Sequence, residues 1–484
     1  VATARPIQSC VPKPTERQNI QVRSEKAVLA ALRLPESVFD PRDPFGELRE
    51  LAEQAGATVV GELEQRRDRP EPGTYMGKGK VEELKNLCDA LDATTVIFDH
   101  ELSPKQIATI EKVVGRKILD RSELILDIFA GRATTHEAQL QVELAQLEYT
   151  YPRLRAMWSH LERIAGGAAS GGVGTRGPGE QQLEIDRRLV QRRKIVLQRE
   201  LAEIQERKRR AVRQRNIDND TVGLVGYTNA GKSTIFNTFT EGGAYADDRV
   251  FATLSTRTRK WDLGGGVGCM LSDTVGFVRE LPHHLVASFR ATLEEATHAD
   301  LLIVVLDVSD PSVEMHHDTV VRTLDELFKE VEKQEARDKD APPYERPELV
   351  TVLNKADRLG DNRDLLYWQA RIPGSIPLCA LPPTPDNPEP LGHAELTRTI
   401  REFVVGPIRE LDLSLPMSDA KAIDAIERRC EVLDRNYEGD RAILRARIGS
   451  RQLTRLRSTS PRLEAFTPEG ERVERETNRA GWRR

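Results

Sequence analysis

Thr221 to Asn237, TVGLVGYTNAGKSTIFN, decides how the centre of this chain folds. An apolar β-type run, Val222 to Val225, meets Gly226; Tyr227, Thr228, Asn229 and Ala230 then lead into Gly231-Lys232-Ser233-Thr234 and an amphipathic segment. G-x-x-x-x-G-K-S between a strand and a helix is a phosphate-binding loop. Its glycines permit backbone angles that turn successive N–H groups inward around phosphate oxygens. Lys232 adds a point charge toward the outer phosphates, the helix start adds its partial positive end, and the Ser233 hydroxyl can ligate Mg²⁺.

Working outward, residues 218–405 read as one nucleotide domain. Phe251-Ala252-Thr253-Leu254 is a candidate switch. A hairpin runs Thr258 to Leu263, turns through Gly264-Gly265-Gly266 and returns from Gly268 to Ser272, ending in Asp273-Thr274-Val275-Gly276. A helix from Leu281 to Thr297, a strand from Leu301 to Leu306 and a charged helix around Val313 to Glu335 follow. The strand Leu349–Leu353 then delivers Asn354-Lys355-Ala356-Asp357, and a last strand, Ile376–Leu378, precedes Cys379-Ala380-Leu381. Alternating strands and helices predict a doubly wound sheet with its ligand loops at the strand ends.

The order of these loops is the order a guanine nucleotide site requires. Asp273 can hold Mg²⁺ through water, and the Gly276 N–H can meet a γ-phosphate. Asn354 and Asp357 are placed to select the base. A carboxylate accepts from both N1–H and the exocyclic amine of guanine, a donor pair that adenine lacks. The backbone of Cys379-Ala380-Leu381 would contact the guanine oxygen. The reading is therefore GTP rather than ATP, hydrolysed to GDP and phosphate.

With 484 residues the chain is too long for a single core, and about three domains are expected. Hydrophobic residues make up 38% and charged residues 31%, so a large polar surface is expected. No apolar run approaches the roughly 20 residues of a membrane span. The first twenty residues, VATARPIQSCVPKPTERQNI, lack the apolar stretch of a secretion signal. Cys10, Cys88, Cys269, Cys379 and Cys430 are scattered without a C-x-x-C pair, which argues against a zinc site or a disulfide framework and fits a reducing cytoplasm.

Upstream, residues 1–24 read as a disordered tail. Residues 25–130 alternate: helix Phe45–Ala55, strand Ala57–Val60, helix Val81–Leu91, strand Thr94–Asp99, helix Ser103–Val114, strand Lys117–Asp120. That order predicts a small parallel α/β domain. Its loop Gly77-Lys78-Gly79-Lys80 is a weak phosphate signal and reads as a solvated turn. From 131 to 217 the period changes. Leu140, Leu144, Leu147, Tyr151, Leu154, Trp158 and Leu161 fall on one seam, and Leu183, Val190, Leu197 and Ile204 on a second. Pro152 is expected to kink the first. Between them AGGAASGGVGTRGPG, Ala165 to Gly179, can hold neither helix nor strand, so the two helices form an antiparallel hairpin with a glycine-rich tip.

The second helix carries Arg187, Arg188, Arg192, Arg193, Lys194, Arg199, Arg207, Lys208, Arg209, Arg210, Arg213 and Arg215 in a chain whose net charge is −5. That concentration, next to Arg176 in the tip, predicts a phosphate-backbone footprint. Few aromatic residues are available to stack bases, which favours structured RNA over a single strand. Residues 406–457 read as a small α+β domain, with helix Ala420–Arg429 and a hairpin of Glu431–Asp434 with Ala442–Arg447; 458–484 reads as a charged, disordered tail.

The chain resembles the HflX family of ribosome-associated GTPases within the translation-factor-related class, over about residues 40 to 450. The resemblance rests on YMGKGKVEEL, GRATTHEAQLQVELAQLEY, PRLRAMWSHLER and GGVGTRGPGEQQLEIDRR beside the nucleotide motifs. It implies that the glycine tip enters the large ribosomal subunit near the peptidyl transferase centre. It also implies that the GTP-bound protein, acting in the cytoplasm as a monomer, splits stalled or idle ribosomes, especially under stress. Carried over, Ser233, Thr253 and Asp273 are the Mg²⁺ ligands. Gly226 to Thr234, Phe251 to Ser255, Asp273 to Gly276, Asn354 to Asp357 and Cys379 to Leu381 are the nucleotide contacts. Asn229 matches the position that holds K⁺ in related GTPases, with a loop-bracing amide as the alternative. With Lys232, Thr253 and Gly276 it completes the expected catalytic set.

The chain departs from the family in three places. FATLSTRTR, with Ser255 and Thr256, replaces the usual FATLDPTTR and drops a proline constraint; Cys379 replaces a common serine; and the glycine loop is a few residues longer. Phe277 follows Gly276 where many GTPases carry a water-orienting glutamine, so isolated turnover is expected to be slow until the ribosome or a monovalent cation completes the site. Two other functions fit parts of the sequence: a large-subunit assembly GTPase, and an RNA-remodelling ATPase working through the N-terminal domain.

Overall fold

The computed structural model describes residues 25–474 apart from 36, 38, 40–41, 166–187, 205, 208–219, 241–256, 280–295, 337–343, 362 and 386. The described chain divides into two compact units.

The first unit is built on β1 (Lys26–Arg33), which the sequence reading passed over because its alanines and leucines favour helix. All of β1 after Lys26 is buried. A strand covered on both faces shows a continuous apolar run rather than alternation, which hides it. It is followed by α1 (Gly46–Gln54), β2 (Thr58–Arg66), α2 (Lys78–Leu91), β3 (Thr95–Phe98), α3 (Pro104–Val114), β4 (Lys117–Asp120) and α4 (Arg121–Arg132). The sheet order is β2-β1-β3-β4, all parallel. Gly77 precedes α2, its N–H donating to Gln65 Oε1 at 2.8 Å, while Lys80 pairs with Glu83 at 2.8 Å. The G-K-G-K stretch, read as a solvated turn, is instead the N-cap and first turn of α2, which starts three residues before the expected Val81.

At the C-terminal ends of β1 and β3 the buried Asp99 accepts from Arg33 Nη1 and Arg121 Nη1, both at 2.9 Å. One carboxylate held by two guanidiniums is a demanding buried arrangement, tolerable only because each charge is paired.

The next helix, α5 (His136–Ala165), is continuous across Pro152, and its Arg153 reaches Asp120 Oδ2 at 2.6 Å within the first unit. In the second unit, the near half of α5 packs on α6 (residues 188–204). Leu140 and Leu144 of α5 bury against Leu197 and Leu201, with Leu147 and Ile204 partly buried beside them. This is the predicted seam; the side chains of Leu154, Trp158, Leu161 and Leu183 lie outside the described residues.

The nucleotide domain forms a six-stranded sheet in the order β10-β9-β8-β5-β7-β6. Its strands are β5 (Thr221–Gly226), β6 (Arg257–Asp262), β7 (Gly268–Asp273), β8 (Leu301–Asp307), β9 (Glu348–Asn354) and β10 (Ile376–Leu378). All pairs are parallel except β6 with β7. The helix Val313–Glu335 matches its predicted span, and the helices Arg363–Arg371 and His393–Val405 were not foreseen. The predicted helix from Leu281 falls almost wholly outside the described residues.

The C-terminal piece is an antiparallel sheet, β12-β13-β11-β14, of β11 (Ile408–Pro416), β12 (Glu431–Glu438), β13 (Arg441–Gly449) and β14 (Glu464–Phe466). The helices Ala420–Arg429 and Ser450–Thr459 share its core. The expected disordered tail from 458 is corrected here: residues 458–474 finish a helix and supply β14, with Leu463 and Ala465 buried in that core. Leu463, Ala465, Phe466 and Val473, scattered among charges and prolines, gave too little periodicity to reveal it. This piece is fixed to the nucleotide domain: Arg451 stacks 3.7 Å from the Phe403 ring centre and pairs with Glu348 at 3.0 Å.

Candidate nucleotide site

β5 is buried along its whole length, and its last residue opens the loop. Gly226 admits no side chain, because a Cβ there would overlap the Val305 carbonyl of β8. Gly231 has φ 93°, in the left-handed region, and caps α7 (Lys232–Phe239); a Cβ there would overlap the Asn354 amide. Asn229 is also left-handed, at φ 60°. Its side chain is exposed and makes no hydrogen bond among the described residues, so the bracing alternative finds no partner here.

Lys232 is buried, and its Nζ donates to the Tyr227 carbonyl at 2.6 Å. Burial lowers its pKa to about 8, partly offset by Asp273. Ser233 Oγ donates to Asp273 Oδ2 at 2.7 Å. The phosphate loop and the end of β7 thus bring two hard oxygens together beside the lysine, a donor pair of the kind Mg²⁺ takes. Thr253, with Phe251, Ala252, Leu254 and Ser255, lies outside the described residues.

The stretch after β7 is bonded to the phosphate loop. Thr274 Oγ1 donates to the Leu224 carbonyl at 2.6 Å. The Phe277 N–H donates to Gly226 O at 3.0 Å, and the Thr228 N–H to Phe277 O at 2.8 Å. Between these anchors Gly276 lies so close that an added Cβ would stand 2.8 Å from Thr228 Cγ2 and 3.0 Å from Lys232 Nζ. Phe277 itself is 1% exposed and sits in the core with Val225, Leu302 and Val304. Its ring faces away from the nucleotide side, so it contributes nothing to a water there.

At the base end, Asn354 is 1% exposed and spends both ends of its amide on the protein. Nδ2 donates to Ala230 O at 2.7 Å, and Oδ1 accepts from the Ala380 N–H at 3.2 Å. The sequence reading gave Asn354 a share in base selection; the structure makes it a brace between the phosphate loop and the third loop. Asp357 is exposed in the short helix Ala356–Arg358. Val275 is buried, and Lys355 Nζ pairs with Asp307 at 2.6 Å. Burial, with Asp357 facing it, raises the Cys379 pKa, so the thiol stays protonated beside the carboxylate. Leu381 is exposed at the rim.

Sequence reasoning missed the residues that hold this third loop from behind. Thr238 Oγ1 donates to Ala380 O at 2.9 Å, and His393 Nε2 lies 2.7 Å from Cys379 O. Thr238 is 142 positions from its partner, and no local pattern signals such a bond.

Family models match residues 42–130 as a GTP-binding GTPase N-terminal region, 132–215 as its middle region and 221–355 as a 50S ribosome-binding GTPase. The GTPase HflX of Lacrimispora saccharolytica is 45% identical over 315 residues, covering 65% of this chain and 73% of its own length. The GTPase HflX of Akkermansia muciniphila is 35% identical over 451 residues, 88% and 96% of the two chains. The chain belongs to the HflX GTPases. The HflX of Escherichia coli is 44% identical over 317 residues, 65% of this chain and 70% of its own. A GTP-binding protein from Sulfolobus solfataricus, solved with GDP, aligns at 24% identity and a TM-score of 0.38, over 78% of this chain and 98% of that one. As an HflX GTPase the chain binds guanine nucleotides, hydrolyses GTP and is ribosome-associated. Among the described residues no helix is long and apolar enough to cross a membrane.

Proposed function

We propose that this HflX GTPase, in its GTP-bound form, binds the large ribosomal subunit through the tip of the α5–α6 hairpin and separates stalled or idle ribosomes in the cytoplasm. The observation that carries the reading is the pairing of a GTPase site with a helical stem whose outer side is basic. Arg188, Arg192 and Arg199 are exposed on α6, Arg199 lying 3.7 Å from Glu203 of the same helix, while Arg193 and Lys194 reach across to Glu143 and Glu148 of α5 at 2.7 and 2.8 Å. The footprint is therefore narrower than the count of basic residues suggests. In this reading the glycine-rich sequence between the two helices contacts RNA near the peptidyl transferase centre, and that contact is incompatible with a joined ribosome.

Ser233 and Asp273, with Thr253, would hold Mg²⁺, whose charge neutralises the β- and γ-phosphates. Lys232 and the loop N–H groups bind the phosphates, the Gly276 N–H meets the γ-phosphate, and Asp357 reads guanine. Hydrolysis removes the γ-phosphate contacts that order the switches, and the factor leaves. Phe277, which follows Gly276, is buried and has no polar group to orient water, so a K⁺ at Asn229 or the ribosome completes the site. Turnover measured with and without large subunits, in K⁺ and in Na⁺, is expected to be fastest with both subunits and K⁺; equal rates in all four conditions contradict this. Sedimentation of ribosomes with Lys232→Ala, or with the Gly166–Gly179 loop shortened, is expected to leave them joined. Normal splitting by either variant would refute the proposal.

A further inference from the structure

Tyr227 is the one aromatic side chain in the phosphate loop, and its two ends work on different partners. Its carbonyl takes the Lys232 ammonium at 2.6 Å, while its hydroxyl accepts the Arg279 N–H at 2.9 Å. The ring is 4% exposed and lies flat on His316 of the helix Val313–Glu335, with centroids 3.8 Å apart and planes at 17°. The stack fixes where the hydroxyl points, and a buried phenol oxygen needs a hydrogen-bond partner.

Counting outward from Gly276, Phe277 is bonded through both its N–H and its carbonyl to the loop's own backbone, and Arg279 is bonded to the Tyr227 side chain. The Tyr227 and Phe277 backbones form a parallel bridge that continues β5 past its end. On its side-chain side Gly276 leaves no space, since a Cβ added there would stand within 3.0 Å of Thr228 and the Lys232 ammonium.

We infer that the Tyr227 hydroxyl is a latch that presets the first part of the second switch: it makes Tyr227 a positioning residue for GTP hydrolysis, holding the Gly276 N–H where a γ-phosphate will arrive. Tyr227 touches no reacting atom; it acts through Arg279 and Phe277 on Gly276. The inference rests on GTP hydrolysis by this chain and not on ribosome splitting.

Tyr227→Phe keeps the ring and its stack on His316 and removes only the hydroxyl, and with it the bond from the Arg279 N–H. Single-turnover GTP hydrolysis by the full chain without ribosomes is expected to slow about tenfold, the size of one lost hydrogen bond to a buried donor. The Kd for GDP, which has no γ-phosphate to meet Gly276, is expected to stay within about twofold. Hydrogen exchange at the Arg279 amide should be protected in parent protein with either nucleotide and faster in the variant. A variant that hydrolyses at the parent rate overturns the latch. So does one that loses rate and GDP affinity together, because that marks general damage to the loop. None of these readouts involves ribosomes, so failure of the splitting proposal would leave them unchanged.

Discussion

Replacing Asn354 by alanine separates two roles that the sequence motif runs together. The side chain is 1% exposed and joins Ala230 O at 2.7 Å to Ala380 N–H at 3.2 Å, so the truncation breaks two buried bonds at once. Each buried polar group left without a partner costs about 1–3 kcal/mol. The two groups belong to the two loops proposed to grip opposite ends of the nucleotide, so of the roughly 2–6 kcal/mol that two such groups cost, about 2–4 kcal/mol is expected to appear in binding. At 1.4 kcal/mol per decade this is roughly a 30- to 1,000-fold weaker Kd for GDP. The assay is equilibrium titration with fluorescent GDP and XDP, alongside thermal melting to check folding. Because the amide braces loops and reads no base atom, affinity for both nucleotides is expected to fall by the same factor. An unchanged GDP affinity, or a changed GDP-to-XDP ratio, would refute the assignment of Asn354 as a brace.

Asp357→Asn should do the converse: an amide can donate to the second carbonyl of xanthine, so preference is expected to move from GDP to XDP by at least about tenfold, one hydrogen-bonding group's worth of discrimination. Unchanged preference would remove Asp357 from the base site. Lys232 has a pKa lowered to about 8 by burial, and a phosphate beside it would raise that value. The charged form is thus favoured in the complex, so affinity is at full strength below pH 8 and weakens as pH rises through it, by up to about tenfold per unit. Nucleotide titrations across that range check it, and a flat profile contradicts it. Arg192→Glu with Arg199→Glu should flatten the salt dependence of large-subunit binding by about one unit of slope per arginine or more, while Arg193→Ala, which breaks an exposed pair with Glu143, should change it little. Equal effects would mean that the outer face of α6 is not the RNA footprint.

Much of the nucleotide domain was legible because it is punctuated. Glycines with restricted backbone angles, a lysine and short polar loops mark the ends of apolar strands, and the hairpin around Gly264-Gly265-Gly266 and the helix Val313–Glu335 lie where their patterns put them. What was not legible has physical causes. β1 is buried on both faces and rich in alanine and leucine, so neither alternation nor propensity marks it. β14 has three residues and lies in a charged stretch that looks unstructured. The exposed arginines of α6 could not be told from Arg193 and Lys194, because which bases meet Glu143 and Glu148 depends on how two helices pack. In the site, the described motif residues of the phosphate loop, the end of β7 and the Asn354 and Cys379 loops lie at the strand ends where their patterns put them. Their division of labour was not legible, because the bonds of Asn354 and Tyr227 reach across tens of residues and leave no local trace.

The central claim is that the nucleotide held by the phosphate loop governs an arm that grips ribosomal RNA. Titration of purified large subunits with the full chain, loaded in turn with GDP and with a non-hydrolysable GTP analogue at one fixed salt concentration, tests it most directly. Binding at least about tenfold tighter with the GTP analogue is predicted, the usual scale of a switch-coupled difference. The same affinity with both nucleotides would contradict it.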